Sequence, residues 1–214
     1  MDWHDLGTFL FRWLHLLFGV IWMGLLYYFN FVQGEYLKDA EKHALIDVKA
    51  KLIPRALWWF RWGAAFTLAS GLVLLAVVGH QGVLNAYTVL AASLGTLMFL
   101  NVWLIILPNQ RIVLGEVAGD AAAAAAKAGL ISRTNVLYSG PMAFGMLGSA
   151  HLGYDQRFLL SGDGISAGLW LALLLIAALQ VNGVMGKMGP MATTRGVAHL
   201  SVGLTALLFG LLYL

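Results

Sequence analysis

The sequence contains no cysteine and few charged residues. Without cysteine, disulfides, thiolate metal sites, cysteine-bound iron–sulfur clusters and covalently tethered haem are all excluded. Only 11% of the residues are charged, whereas a soluble domain has roughly 25%. The chain also has no glycine-rich loop of the kind that binds dinucleotides or phosphates. What it does contain is apolar, since 60% of its 214 residues are hydrophobic, and this composition predicts an integral membrane protein.

Six apolar segments are each near the roughly 20 residues that a helix needs to cross a bilayer. We therefore predict an all-α bundle of six transmembrane helices, forming a single membrane domain over residues 1–214. The spans are predicted at residues 8–31, 57–79, 85–107, 132–152, 166–187 and 194–214. The first apolar run is too long for the apolar part of a signal peptide, so no cleaved leader is expected. Pro141 is expected to kink the fourth span.

Two stretches that connect the spans also favour helices. Residues 35–51 mix charges with apolar side chains, which is typical of a helix lying along the membrane surface. Residues 115–129 include six consecutive alanines, from Ala121 to Ala126, and alanine is the strongest helix former. Both stretches are interpreted as connectors between spans.

Basic residues are concentrated on one side of the predicted bundle. Of the 13 Lys and Arg residues, all except Arg12 and Arg157 lie in or beside the loops after the first, third and fifth spans. The positive-inside rule assigns this side to the cytoplasm, so both termini lie on the non-cytoplasmic side. We expect a multi-pass protein of the bacterial inner (cytoplasmic) membrane. The net charge of +3 does not indicate a nucleic-acid partner, because the charges lie mostly in these loops.

Three histidines lie inside predicted spans, where an unpartnered imidazole is costly. They are His15 in the first span, His151 in the fourth and His199 in the sixth. Each shares a helix face with glycines or other small residues. Such faces are common packing surfaces between membrane helices, but they also let a flat cofactor approach. Three of them in one small protein favour a bound porphyrin. The other histidines are expected at surfaces or interfaces: His4, His43 and His80.

The helix face that contains His15 carries further candidate cofactor contacts. At helical spacing it also presents Arg12, Gly19 and Trp22. Arg12 is a candidate partner for a haem propionate, because guanidinium binds carboxylate through two hydrogen bonds. Gly19 would let the ring approach the helix, and Trp22 would form an aromatic wall.

Depth in the membrane decides which histidines could share one haem. A rise of 1.5 Å per residue puts His15 about 10 Å below the outer boundary. His151 lies near the same boundary, at the outer end of its span, whereas His199 falls in the inner half. We therefore predict His15 and His151 as metal ligands, forming the axial pair of a haem b. His199 would serve a second haem b, a quinone site or a proton path.

Several motifs resemble those of the membrane domain of the urate hydroxylase PuuD family. They are Trp13-Leu14-His15, Trp58-Trp59-Phe60-Arg61-Trp62, Asn101-Val102-Trp103 and Ser132-Arg133-Thr134-Asn135. At the first-span histidine the chain is also similar to copper-resistance membrane proteins and to the bacterial protoporphyrinogen oxidase of the haem pathway. The resemblance implies a multi-span membrane protein that works with a c-type cytochrome. Full-length family members carry that cytochrome as a C-terminal domain, which this sequence lacks, so a separate c-type cytochrome is the expected partner.

Three functions fit these observations. The first is a membrane haem b protein that moves electrons as a subunit of a respiratory or oxidase-type complex. The second is an oxidoreductase whose haem iron has one histidine ligand and one open axial position, and which oxidises urate or another small reductant. The third is an accessory or copper-handling membrane subunit without haem. An optical spectrum of the pure protein would separate the three.

Overall fold

The computed structural model describes residues 3–160 and 165–214, and within them every regular element is a helix. The α-helices are α1 (Trp3–Tyr27), α2 (Gly34–Asp39), α3 (Lys42–Asp47), α4 (Ile53–His80), α5 (Ala86–Leu100), α6 (Leu107–Val113), α7 (Ala121–His151), α8 (Ala167–Met185) and α9 (Thr194–Leu211). Three π-helical segments lie at Tyr28–Gln33, Val48–Leu52 and Asn101–Ile106, and two 3-10 turns at Gln156–Phe158 and Gly189–Ala192. The predicted all-α class is confirmed.

Each π-helical segment joins two α-helices without a break in the chain of helical hydrogen bonds. This joining produces three long helical rods. Within the described chain, five helices are long and apolar enough to cross a membrane, namely these three rods, α8 and α9. The rods are Asp5–Asp39, Lys42–His80 and Ala86–Val113. Five such helices point to a lipid bilayer as the environment, and they coincide with five of the six predicted spans.

The first two rods meet at a sharp turn and not through a separate surface helix. The backbone is extended at Ala40, with ψ 139°, and at Glu41, with ψ 156°. On either side of this break the helices continue into the first and second rods. The prediction of one surface helix over residues 35–51 was therefore wrong, because its apolar positions belong to the ends of two rods.

Helix α7 occupies the middle of the bundle. It has 31 residues, contains the predicted fourth span, and remains helical through Pro141. It packs against α1, α5, α6, α8 and α9. Thr134, Asn135 and Ser139 are almost completely buried in it. These polar side chains face other helices, and they make α7 less apolar than the five helices named above.

Helix α1 is held against α4 and α7 by close packing and hydrogen bonds. A Cβ atom at Gly63 of α4 would lie 3.2 Å from the backbone nitrogen of Trp22, so glycine lets the two helices approach closely. On its other side, the hydroxyl groups of Tyr27 and Ser139 lie 2.8 Å apart and hydrogen-bond. The second half of α1 is thereby fixed beside two other helices.

A buried network of amide side chains connects the third rod to α7 and α8. The Asn101 Nδ2 atom donates to Asn135 Oδ1 at 2.8 Å, and Gln180 Nε2 donates to Asn101 Oδ1 at 2.6 Å. Asn135 in turn donates to the backbone oxygen of Met98 at 3.0 Å. Since lipid offers no hydrogen-bond partners, such amides must bond to one another, and the network fixes the three helices relative to each other.

Candidate ligand site around His15

His15 points from α1 towards α4 and is half-buried. Its Nδ1 atom lies 2.9 Å from the backbone oxygen of Thr67 and 3.2 Å from the Ser70 hydroxyl. A carbonyl oxygen can only accept, so Nδ1 carries the proton and donates it to Thr67. The Nε2 atom of this tautomer therefore holds the free electron pair. This is the form in which a neutral imidazole binds a metal.

Gly71 makes room for the His15 ring. A Cβ atom at this position would lie 2.9 Å from His15 Cε1 and 3.3 Å from Nδ1, closer than a side chain could remain without the ring shifting. Thr67, Ser70 and Gly71 lie on one face of α4, at positions three and four residues apart. One segment of α4 therefore supplies both the acceptor for Nδ1 and the space for the ring.

A small cavity lies beside His15, between α1, α4, α5 and α7. Its volume is about 60 Å³, and its walls include Trp22, Gly95, Met142 and Met146. Trp22 is only 2% exposed, and its Nε1 atom has no hydrogen-bond partner. A buried N–H group without a partner costs free energy, so an acceptor in this region would stabilise the site. The cavity thus combines an imidazole, an unpaired donor and two thioethers.

Met142 and Met146 are four residues apart, so they lie on the same face of α7. Thioether sulfur is a soft ligand that binds Cu(I), and methionine also serves as an axial ligand of haem iron beside histidine. The described part of the chain holds no group of three or more His, Asp or Glu residues that could bind a metal. Any metal beside His15 would therefore depend on these methionines or on a group that the metal itself carries.

The structure places the other predicted residues of the first helix away from this cavity. Arg12 is exposed, and Gly19 faces open space, since a Cβ atom added there would have no atom within 4 Å. Of the residues predicted on the His15 face, only Trp22 lines the cavity with His15. Contacts of Arg12 with a propionate and of Gly19 with a ring remain predictions.

His151 does not line the cavity of His15. It is the last residue of α7 and is exposed, whereas Met142 and Met146 face the cavity. Five residues separate His151 from Met146, which is about 7.5 Å along the helix. The axial pairing of His15 with His151 stays a prediction, and the structure offers two methionines as nearer alternatives.

His199 belongs to a different region of the bundle. It is exposed on α9, and its Nδ1 atom lies 2.7 Å from the backbone oxygen of Arg195 in the same helix. With Asn182, Met188 and several leucines it lines a cavity of about 570 Å³ between α7, α8 and α9. This volume is in the range that holds organic ligands. A separate cofactor or quinone near His199 is therefore a different site from that of His15.

His43 and His80 lie at the surface, as expected. His43 is exposed and has Nδ1 3.3 Å from a carboxylate oxygen of Glu41. His80 is exposed at the end of α4. The side chain of His4 lies outside the described part of the structure. None of the described surface histidines lines the cavity of His15.

An ion pair lies in the loop after α7. Arg157 bonds to the Asp155 carboxylate at 2.7 Å, and this hydrogen bond holds the pKa of Asp155 below its usual range. The same guanidinium lies 5.3 Å from the ring centre of Phe158 and 5.7 Å from that of Tyr213. The loop is thereby connected to the end of the chain after α9.

Comparisons with protein-family models, curated proteins and solved structures find no match to this chain. The class of the protein is therefore inferred from its helices alone. Five of those described are long and apolar enough to cross a membrane, which is typical of a membrane protein. The resemblance to the PuuD family stays an expectation from the sequence motifs.

Proposed function

We propose that this protein holds a haem b through His15 and moves electrons within the bacterial inner membrane. The observation that supports this best is the hydrogen bond from His15 Nδ1 to the Thr67 carbonyl oxygen. Metal-binding histidines commonly donate their second ring N–H to a carbonyl or carboxylate in this way, which fixes the tautomer and orients the ring. The proposed partner is a c-type cytochrome or a larger membrane complex on the outer side.

The proposal includes six spans. Five are the helices named above, and α7 is added to them as the fourth span in chain order. Its 31 residues correspond to roughly 46 Å of helix, which is more than the bilayer core requires. It packs alongside the third rod and α9, both of which are long and apolar enough to span. An even number of spans, with the basic loops in the cytoplasm, puts both termini outside.

The donor atoms around His15 suit a haem, but the enclosed volume is small. Haem supplies a one-electron redox change, and its iron accepts histidine together with methionine or a second histidine. His15 would provide one ligand, and Met142, Met146 or His151 the other. The cavity of about 60 Å³ is far below the roughly 300–1,000 Å³ of organic ligand pockets. Binding would therefore require the flexible methionine side chains to move outwards.

A pair of histidine variants tests the haem proposal. The purified protein should show the reduced-minus-oxidised spectrum of a low-spin haem b. We expect His15→Ala to lose this haem, because one axial ligand is removed. His43→Ala is the matched control and should retain it, since His43 is exposed at the start of the second rod and does not line the cavity of His15. Full haem occupancy in His15→Ala would show that the iron is bound elsewhere.

The second axial ligand can be identified in the same way. We expect Met142→Leu or Met146→Leu to convert the low-spin spectrum to a high-spin one, because leucine keeps the shape of the side chain but has no sulfur. His151→Ala should leave the spectrum low-spin if a methionine is the ligand. The opposite pattern would assign His151 and support the pairing expected from depth in the membrane.

Copper binding is a second candidate, favoured by the small volume of the cavity. One imidazole and two thioethers form a soft ligand set that selects Cu(I). A space of about 60 Å³ is large enough for a single ion. Metal analysis of the purified protein distinguishes the candidates, since haem gives iron with a Soret band and copper gives neither. Copper at one equivalent that disappears in Met142→Leu would replace the haem proposal.

A further inference from the structure

A third cavity, with charged residues in its walls, lies towards the beginning of α4. It has a volume of about 460 Å³ and is lined by Arg61, Gln110, Arg111, Glu116, Trp58 and several apolar residues of α4 and α6. Arg61 precedes Gly71 by ten positions, which is about 15 Å along the helix. The cavity is therefore separate from the region around His15, and it lies on the side of the bundle where the basic residues are concentrated.

Positive charge exceeds negative charge in this cavity. Its ionisable wall residues are Arg61, Arg111 and Glu116. Arg111 is paired, because its Nε atom lies 3.3 Å from a carboxylate oxygen of Glu116. Arg61 has no carboxylate partner among the described ion pairs, and its Nε atom is buried without a hydrogen-bond acceptor. A buried guanidinium N–H without an acceptor is costly, so an anion that reaches Arg61 would be bound favourably.

The Arg61 guanidinium lies beside an aromatic ring. Its carbon lies 5.9 Å from the ring centre of Trp62, within the range of a cation–π contact. A cation–π contact uses the face of a guanidinium, whereas its edge is the part that matches phosphate oxygens with two parallel N–H groups. The Gln110 side-chain amide provides a further donor in the same wall.

We propose that this cavity binds the phosphate group of an anionic phospholipid from the cytoplasmic leaflet. The cavity opens at a surface where Trp58 is 48% exposed, and tryptophan is typical of the headgroup region of a membrane. Apolar wall residues such as Leu107 and Leu114 lie beside the arginines and offer a surface for acyl chains. Basic pockets between membrane helices on the cytoplasmic side are suited to anionic headgroups. The proposal requires the membrane orientation given above but not the haem.

Lipid titration followed by native mass spectrometry tests this site. The detergent-purified protein is titrated with phosphatidylglycerol and with phosphatidylcholine of the same acyl chains. We expect one phosphatidylglycerol to be retained preferentially, and Arg61→Gln to weaken its apparent affinity about tenfold or more, the loss typical of one charged hydrogen bond. Arg55→Gln is the matched control, because Arg55 is an exposed arginine of α4 that does not line the cavity. It should bind as the unmodified protein does.

Further measurements keep the outcome clear. Arg61→Lys retains the positive charge and should bind more tightly than Arg61→Gln, so a folding defect in the glutamine variant cannot be mistaken for loss of the site. Inorganic phosphate is added alone in a thermal-shift experiment. Stabilisation by phosphate that equals that by phosphatidylglycerol and depends on Arg61 would overturn the lipid assignment in favour of a soluble anion. Equal retention of both lipids, or an equal loss in Arg55→Gln, would overturn the site itself.

Discussion

The hydrogen bonds of His15 decide which of its two ring nitrogens is available. The acceptor for Nδ1 is the backbone oxygen of Thr67, which no substitution at that position removes. The Ser70 hydroxyl donates its own proton to the backbone oxygen of Phe66 at 2.6 Å. Its oxygen can therefore act only as a second acceptor for the His15 Nδ1 proton. The geometry of the ring is therefore determined mainly by the course of the α4 backbone.

Substitution of Gly71 should disturb the imidazole directly. A methyl group in Gly71→Ala would lie 2.9 Å from His15 Cε1, so the ring must shift and its bond to Thr67 must lengthen. We expect a loss of about 1–3 kcal/mol in the free energy of unfolding, together with lower haem or metal content. Both are measured on the purified variant, by denaturant unfolding in mixed micelles and by metal analysis.

Gly79→Ala is the control for this experiment. Gly79 is in the same helix and has no atom within 4 Å of a Cβ position, so alanine should be neutral or slightly stabilising there. If both variants were equally stable and retained equal metal, the close approach of Gly71 to His15 would have no energetic role.

The sequence predicted only part of the residues around His15. Helical spacing identified His15 and Trp22, because both lie on one face of one helix. It missed Gly71, Met142 and Met146, because these come from other helices and depend on how each helix is rotated about its axis. The small residues of α4 at three- and four-residue spacing indicated a face that another helix could approach closely. Since α4 carries no histidine within its predicted span, this face was not connected with a ligand site.

Among the helices, the buried amide network should contribute measurably to stability. Asn135→Ala removes the acceptor for Asn101 and the donor to the Met98 oxygen. We expect a loss of about 1–2 kcal/mol in the free energy of unfolding, since hydrogen bonds between membrane helices contribute at most about that much. Unfolding of the variant in mixed micelles measures the change.

Asn109→Ala is a suitable comparison for the network. Within the described part of the chain, its amide bonds to the backbone oxygen of Ile105 in the same rod, at 2.7 Å. It should therefore change stability less than Asn135→Ala. An equal loss in both variants would indicate that the connection between helices contributes no more than a hydrogen bond within one rod.

Hydropathy identified five of the helices that suit a bilayer but described the connections poorly. Apolar runs predict a span wherever most side chains face lipid, as in α8 and α9. They gave no sign of the break at Ala40 and Glu41, because the residues on either side are compatible with both a surface helix and the ends of two rods. The alanines from Ala121 onwards were correctly predicted as helical, but they form the beginning of α7 and not a separate connector.

For the whole molecule, orientation is the property most open to a direct test. The proposed six spans, with the basic loops in the cytoplasm, would place the end of the chain outside. Alkaline phosphatase fused after Leu214 should therefore be active, and the same enzyme inserted between Ala40 and Glu41 should be inactive. Green fluorescent protein at the two positions should give the reverse pattern.

A fluorescent fusion after Leu214 would contradict this arrangement, since it would require an odd number of spans or an inverted orientation. Either result would also move the arginine-lined cavity to the outer leaflet or remove α7 from the membrane. The fusion experiment thus bears on the lipid site as well as on the topology.

The central position of α7 has a consequence for how the protein is made. Membrane helices enter the bilayer in chain order, and a segment with buried polar residues such as Asn135 inserts poorly by itself. Its amide partner Asn101 is synthesised earlier, on the third rod, whereas Gln180 and α9 emerge from the ribosome later. We therefore expect α7 to enter lipid as a pair with the preceding rod. Asn101 would then provide the hydrogen-bond partner that Asn135 needs in the membrane.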